Sequence, residues 1–368
     1  MQPLKMPSLN PFPVAVVGTG LIGPRHAQSV ISNTSTTLAC IVDPNPSAAK
    51  VASDLGVPLY PSIQAMVSSQ DKPVAAIVCT PNHTHVAVST ELLDAGIHVV
   101  CEKPLSIDVA SGSALVRHAE QLNLHLLTGH HRRFNPFVTA AQRIIASGRL
   151  GRVIAVSGLW TLFKPPGYFD PPTDWRRSAG AVWINLIHDV DVLQYLFGPV
   201  ERVSAEETAK TRGFEADEGA AVLLRFESGV VGTFVCCDAV VSGHGFEMGT
   251  GENPLIPRTG RDFYRIFGTD ASLSVPDLRM TSYAPAVEKS WSSPLTEKTI
   301  ALDTLLSEAE AKAPFDLQVE NLVSVLRREG KARCTGADGL SAVKVAVAIK
   351  KALGSKGLDR TVEVRSML

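Results

Sequence analysis

Near its start the chain reads Pro13-Val14-Ala15-Val16-Val17-Gly18-Thr19-Gly20-Leu21-Ile22-Gly23-Pro24-Arg25-His26, and this stretch decides the predicted fold. A short apolar run leads into glycines spaced as Gly18-x-Gly20-x-x-Gly23, and an amphipathic segment follows. A strand, a tight glycine turn and a helix N-terminus in this order form a dinucleotide-binding fingerprint. We expect the pyrophosphate to lie against the turn and the free N–H groups of the helix, in contact with Gly18, Thr19, Gly20, Leu21 and Ile22.

An acidic residue stands at the distance past the glycines where the fingerprint expects one. The apolar run at 38–42 predicts a second strand, and Asp43 follows it directly. A carboxylate there accepts hydrogen bonds from the ribose hydroxyls and repels a 2′-phosphate. Because Pro44 and Asn45 add no positive charge, the sequence predicts NAD rather than NADP as the cofactor.

Length and composition narrow the class of protein. The 368 residues exceed a typical single domain, so we expect two domains. The formal net charge of −1 and the lack of a basic block argue against a nucleic-acid partner. No apolar run approaches the roughly 20 residues that cross a membrane. Residues 1–12 are interpreted as a loose leader without a signal peptide, and cysteines without metal or C-x-x-C spacing indicate a reducing, cytoplasmic location.

Helix and strand patterns alternate up to about residue 130. Strand patterns at 74–79, 97–101 and 124–128 are separated by helical patterns at 85–95 and 109–123, which indicates βαβ units and a parallel sheet. Residues 1–130 are therefore predicted to form a Rossmann dinucleotide-binding domain of the α/β class.

The pattern changes in residues 131–368. Strand pairs at 220–226 with 230–235, and at 263–267 with 272–275, predict hairpins. We therefore expect an α+β domain with an open, mainly antiparallel sheet. A continuous helix is predicted over 182–197, and the glycine-rich stretch 240–260 is interpreted as a lid or a disordered loop.

Polar side chains follow three predicted parallel strands where each strand ends. Ligands of open α/β sheets bind at this edge, so these residues are candidates for cofactor or substrate contacts. They are Thr80, Pro81, Asn82 and His85, then Glu102 and Lys103, then His131 and Arg132. The histidines among them lack carboxylate or cysteine neighbours at metal-ligand spacing, so we predict no metal site.

The motifs together resemble the Gfo/Idh/MocA family of nicotinamide-dependent oxidoreductases over nearly the whole chain. The residues that carry the likeness are the glycine turn, Glu102-Lys103-Pro104, Trp175-Arg176, Asn185-Leu186-Ile187-His188-Asp189-Val190-Asp191 and Asp338-Gly339-Leu340. The resemblance implies a second domain often used for oligomerisation. The strands at 220–235, which are apolar on both alternations, also predict a homodimer or homotetramer through this sheet.

The resemblance also implies roles for single residues. Lys103 would lie at the nicotinamide, Pro104 would follow a cis bond, and His188 would be the catalytic histidine. Trp175 and Arg176 are expected near the cofactor, and the predicted substrate contacts are Lys103, His131, Arg132, Tyr168, Asn185, His188 and Asp189.

One position departs from the family pattern. Many members carry an aspartate one helical turn before the histidine, where this chain has Ile184. Asn185 lies three residues before His188 and cannot act as a base, although it can hold a substrate hydroxyl or orient the imidazole. Asp189 is a possible replacement.

Alcohol oxidation needs a base for the hydroxyl proton. A lysine ordinarily has a pKa of about 10.4, whereas a histidine titrates near neutrality. We assign His188 as acid/base and Lys103 as the donor that stabilises a developing alkoxide, although exchanged roles stay open. The sequence thus predicts an NAD-dependent dehydrogenase or reductase acting on a sugar, cyclitol or related polyol. Two alternatives are a redox-neutral enzyme with tightly bound, recycled NAD and a non-catalytic dinucleotide-binding sensor.

Overall fold

The computed structural model describes residues 10–368 except 71, 172, 174, 356–359, 366 and 368. Residues 1–9 of the predicted leader therefore lie outside the described part of the chain. The chain forms two compact units, one made of residues up to His131 with Ala313–Leu340, the other of Arg132–Lys312 with Ser341–Leu368. None of the described helices is long and apolar enough to cross a membrane.

The first unit is built on a parallel sheet with strand order β3-β2-β1-β4-β5-β6. Its central strands are apolar without alternation because helices cover both faces of such a sheet, and β1 and β4 are almost wholly buried. This confirms the predicted Rossmann fold. The strands are Phe12–Val17 (β1), Thr36–Val42 (β2), Leu59–Tyr60 (β3), Ala75–Val78 (β4), His98–Cys101 (β5) and Leu126–Thr128 (β6), and the helices are Gly23–Ser32 (α1), Ala48–Leu55 (α2), Ile63–Val67 (α3), His85–Asp94 (α4) and Val109–Gln121 (α5).

A late segment of the chain returns to this unit. The helix Pro314–Leu326 (α10) buries Val319 and Leu322 in the same apolar cluster as Val14 and Val30. The predicted division placed all of 131–368 in the second domain and differs from the structure in this respect. The reason is physical: an amphipathic helix shows which face it buries, but not which sheet will cover that face.

The second unit contains a mixed sheet in the order β14-β13-β12-β11-β7-β10-β9-β8-β15. Among the described strands of this sheet, only β7 and β10 pair in parallel, so the predicted mainly antiparallel sheet is confirmed. Its strands are Val153–Thr161 (β7), Val200–Glu207 (β8), Gly219–Phe226 (β9), Val231–Cys237 (β10), Tyr264–Gly268 (β11), Ala271–Val275 (β12), Arg279–Ser282 (β13), Thr296–Thr299 (β14) and Thr361–Glu363 (β15), and its helices are Pro136–Ala146 (α6), Arg176–Ala181 (α7), Ile187–Phe197 (α8) and Phe246–Thr250 (α9). Helix Gly336–Gly354 (α11) begins in the first unit and ends in the second.

The predicted continuous helix over 182–197 begins differently from expectation. Residues Val182–Leu186 form a π-helical turn, and α8 follows it. Gly180 just before them has a φ of +81°, which is not a helical value and therefore interrupts the preceding helix. Glycine adopts such a value readily because it has no Cβ. The Asp217 carboxylate accepts the Val182 N–H at 2.8 Å. π-turns inside helices often occur at functional sites.

The glycine-rich stretch 240–260 is anchored to the second unit. It contains α9, and Glu247 in that helix accepts hydrogen bonds from Trp160 Nε1 at 2.8 Å and from Arg132 at 2.6 Å. The structure therefore corrects the expectation of a disordered loop, because the ion pair with Arg132 and the hydrogen bond from Trp160 hold α9 in place.

Candidate active site

The glycine turn of the first unit leaves room for a phosphate group. Gly18 has a φ of +95°, and a Cβ there would lie 2.8 Å from the Cys79 carbonyl oxygen, whereas a Cβ on Gly20 would meet no described atom within 4 Å. Among the described residues no side chain caps α1 and no acid lies in its first turn. Pro24 has no N–H and the Arg25 N–H donates to the Ile22 carbonyl oxygen at 3.1 Å, so it is the open space at Gly20 that fits the pyrophosphate of a dinucleotide.

The carboxylate of Asp43 lies beside this turn. Its Oδ2 accepts the Thr19 N–H at 2.8 Å and the Thr19 hydroxyl at 2.7 Å, and its Oδ1 accepts the Asn45 N–H at 2.8 Å. Parallel pairing of β1 and β2 brings the two strand ends together. The acid predicted to bind the ribose is thus held next to the predicted phosphate site.

The loops that follow β4 and β5 are joined by His85. Its Nδ1 lies 2.7 Å from the Pro104 carbonyl oxygen and its Nε2 lies 2.9 Å from that of Thr80. Both acceptors lack hydrogens, so both ring nitrogens must donate and the ring is an imidazolium. Burial lowers the pKa of His85, but the Cys101 side chain and the two carbonyls raise it to about 9. With 1% of the residue exposed, His85 joins two site loops, and its predicted cofactor contact remains a prediction.

Glu102 is a buried carboxylate directly before Lys103. It lies 2.7 Å from His26 Nε2 and accepts the Lys103 N–H at 3.1 Å. Burial raises the pKa of Glu102, but His26 above all, with His131 and Lys103, lowers it to about 2. The anion orients the Lys103 backbone, and the Lys103–Pro104 bond is cis as the resemblance implied.

Phe315 of α10 packs among three cationic or aromatic side chains of the same unit. Its ring stacks on His131 with centroids 4.6 Å apart and meets His26 edge-on at 4.9 Å. The Arg25 guanidinium lies 4.6 Å from the same centroid. His131, a predicted substrate contact, is therefore held by a residue far along the chain that sequence analysis did not connect with it.

In the second unit, His188 lies in the first turn of α8 and is 7% exposed. Asn185 belongs to the π-turn before it, and its Oδ1 accepts a hydrogen bond from Lys164 Nζ at 2.6 Å. Lys164 also lies 3.1 Å from Asp238 Oδ2. Sequence analysis missed Lys164, although a lysine directly after an apolar strand pattern was an available signal.

Asp189 and Arg132 form a buried ion pair, and their predicted substrate contacts remain predictions. They are 0% and 2% exposed, and Arg132 lies 3.0 Å from Asp189 Oδ2 while the Tyr264 hydroxyl donates to Oδ1 at 2.5 Å. Burial raises the pKa of Asp189 to about 6 despite Arg132 and Tyr264. Each carboxylate oxygen accepts one of these hydrogen bonds, and a role of Asp189 as a replacement base remains a prediction.

Tyr168 and the Trp175-Arg176 pair cluster in the second unit. The Arg176 guanidinium lies 3.9 Å from the Tyr168 ring centroid and donates to the Tyr168 carbonyl oxygen at 3.0 Å. Lys164 Nζ lies 4.6 Å from the same ring, and Trp175 is 49% exposed. Their predicted contacts with cofactor and substrate remain predictions.

Comparison with known proteins gives a match over both parts of the chain. Residues 12–130 match the family model described as an oxidoreductase family with an NAD-binding Rossmann fold, and residues 142–363 match that of an oxidoreductase family C-terminal alpha/beta domain.

Individual relatives agree with these matches. Inositol 2-dehydrogenase of Rhizobium meliloti is 25% identical over 93% of this chain and 96% of its own length. An oxidoreductase from Agrobacterium radiobacter, solved with NAD+, L-tartaric acid and magnesium, aligns with a TM-score of 0.78 at 16% identity over 97% of this chain and 99% of its own. The WlbA dehydrogenase from Bordetella pertussis, solved with NADH and UDP-GlcNAcA, aligns with a TM-score of 0.74 at 23% identity over 95% and 100%. The two structures show the same fold.

Proposed function

The chain belongs to the Gfo/Idh/MocA family of NAD-binding oxidoreductases, and we propose that it transfers a hydride between NAD and a hydroxyl or carbonyl carbon of a sugar, cyclitol or related polyol. The observation that carries the proposal is the Asp43 carboxylate held beside the open turn at Gly20. The substrate class is supported by relatives named as inositol dehydrogenases and a 1,5-anhydro-D-fructose reductase.

The proposed reaction needs a cofactor for the hydride and side chains that handle the proton and the charge on oxygen. NAD supplies the hydride acceptor or donor. We assign His188 the transfer of the hydroxyl proton, because an imidazole can both take and return a proton near neutral pH. Lys103, whose backbone Glu102 orients, would donate a hydrogen bond to the reacting oxygen and stabilise negative charge on it. The reverse assignment of these two residues leaves the overall reaction unchanged.

The same proposal includes a homo-oligomer formed through the sheet of the second unit. Leu223, Val235 and Phe267 are between 38% and 49% exposed, and the strand register places them on one side of β9, β10 and β11, together with Leu159. An apolar sheet face of this kind is typical of a buried interface. Light scattering should give a multiple of 39.3 kDa, and a monomer at micromolar concentration would contradict it.

The proposed reaction is tested by incubating the protein with NAD and a panel of sugars, cyclitols and polyols while NADH is followed by absorbance. We expect turnover with at least one member of the panel, and loss of it in Lys103→Met. NAD binding without turnover on any member, in either direction, would instead support the sensor.

A further inference from the structure

Lys164 fixes the orientation of the Asn185 amide. An ammonium group has three N–H donors and no acceptor, so Asn185 must turn Oδ1 toward Lys164 to make their 2.6 Å contact. Its Nδ2 then points away from the lysine. No described residue accepts a hydrogen bond from Nδ2, and Asn185 retains 9% exposure although it lies among buried residues.

Lys164 itself has donating capacity left. One N–H serves Asn185 and a second faces Asp238 Oδ2 at 3.1 Å. Within the described chain no oxygen or nitrogen accepts the third, which lies on an ammonium 4.6 Å from the Tyr168 ring centroid. Two donors of adjacent side chains, one of them charged, therefore lack acceptors at the same place in the second unit.

The negative charge near Lys164 is shared. Asp238 Oδ1 accepts from Arg212 at 2.6 Å, so one carboxylate serves two cations that are both largely buried. Glu218, the other acid near Arg212, accepts the N–H groups of Thr211 and Arg212 at 2.8 and 2.7 Å. No acid in this group of residues therefore pairs with Lys164 alone.

We propose that Lys164 and Asn185 form a subsite for a carboxylate group of the substrate, an inference that rests on the proposed function. The substrate is then a polyhydroxy acid rather than a neutral polyol. A carboxylate only accepts hydrogen bonds and pairs with an ammonium and an amide N–H without leaving a polar group unmatched. A substrate hydroxyl could accept from the same two donors, but it carries no charge to pair with the ammonium and its own proton would need a further acceptor.

The test compares acids with the alcohols that differ from them only at the carboxylate. The NAD-saturated protein is titrated by calorimetry with D-gluconate and D-sorbitol, D-galactonate and galactitol, and D-glucuronate and D-glucose. We expect at least one acid to bind about 10- to 100-fold more tightly than its alcohol, the range typical of a hydrogen bond to a charged group. Equal or weaker binding of every acid, or no binding at all, would overturn the proposal.

Variants assign any acid preference to these residues. Asn185→Asp keeps the side-chain shape and still accepts from Lys164, but it turns an oxygen toward the substrate, so the preference should reverse in favour of the alcohol. Lys164→Met should abolish it, while Lys298→Met, an exposed lysine of β14 in the same unit, should retain it. An acid preference that survives Asn185→Asp would overturn the proposal even if Lys164→Met fails to fold.

The two proposals fail in different ways. NADH formation from neutral polyols without any acid preference would remove the carboxylate subsite and leave the oxidoreductase intact. Acid-selective binding without hydride transfer in either direction would leave the subsite and remove the proposed reaction.

Discussion

The two units hold buried carboxylates with different shares of local and long-range contacts, and the contrast separates what local sequence encodes from what it does not. In the first unit Glu102 accepts the N–H of the next residue and lies at the end of a parallel strand, where its motif predicts it, although its partner His26 is 76 positions away. In the second unit Asp189 is held by Arg132, 57 positions away, and by Tyr264, 75 positions away. Strand-end motifs are therefore readable from sequence, whereas long-range ion pairs are not.

The largest expected effect tests whether both units contribute to one reaction. Lys103→Met and His188→Ala should each lower kcat by about 100- to 10,000-fold, because each removes a group that moves or stabilises charge at the reacting oxygen. The dissociation constant of NAD should change little, since the glycine turn and Asp43 remain. The double variant should be little worse than the poorer single variant. Unchanged kcat in either single variant would remove that residue from the mechanism.

The buried pair of the second unit gives the next effect, on stability. Arg132→Met leaves the fully buried Asp189 without its cation, and breaking such a pair typically costs about 3 to 5 kcal/mol of unfolding free energy. Urea denaturation measures it. Lys50→Met removes a pair between largely exposed side chains and should cost less than about 1 kcal/mol. Similar losses in the two variants would contradict the expected difference between a buried and an exposed ion pair.

His85 adds a pH dependence that belongs to the first unit. The pKa of His85 is about 9 in the folded chain, above the ordinary histidine value of about 6.5. Its contribution to the free energy of unfolding is therefore complete below about pH 6.5 and is lost as the pH rises through about 9. The wild type should exceed His85→Gln in unfolding free energy by about 1 to 3 kcal/mol at about pH 6, and the gap should narrow at about pH 10.

Parallel urea titrations of both proteins at the two pH values check this expectation. A gap that stays constant between them would show that His85 acts through packing alone. The control is His125→Gln, which replaces an exposed histidine directly before β6 that lacks the two carbonyl contacts of His85.

The smallest effect concerns cofactor choice at the end of β2. The wild type should bind NAD more tightly than NADP, because Asp43 repels a 2′-phosphate. Replacing Asp43 with Ser together with Pro44→Arg should shift the ratio of the two dissociation constants toward NADP by about 10- to 100-fold, the scale of one charged hydrogen bond. Fluorescence titration gives both constants, and equal binding of NADP by the wild type would contradict the assignment.

Much of the first unit was predictable because each element carries its own signal. The glycine turn, Asp43 and the apolar strands are local patterns, and the parallel order of the sheet brings their ends to one edge. Lys164 and Asn185 are 21 positions apart, and no local pattern predicts that they meet in the folded second unit. The π-turn at Val182–Leu186 was also missed, because it depends on Gly180 and on Asp217, which comes from elsewhere in the chain.

The return of α10 to the first unit has a consequence for biosynthesis. A ribosome adds about 5 to 20 residues per second, and Phe315, Val319 and Leu322 emerge only after residues 132–312 have been made. Until then the nascent Rossmann sheet and α1 lack the helix that covers part of their apolar surface. The part of the protein that is synthesised first is therefore completed only after most of the second unit has been made, and its exposed patch during translation is a natural site for a chaperone that recognises apolar surface.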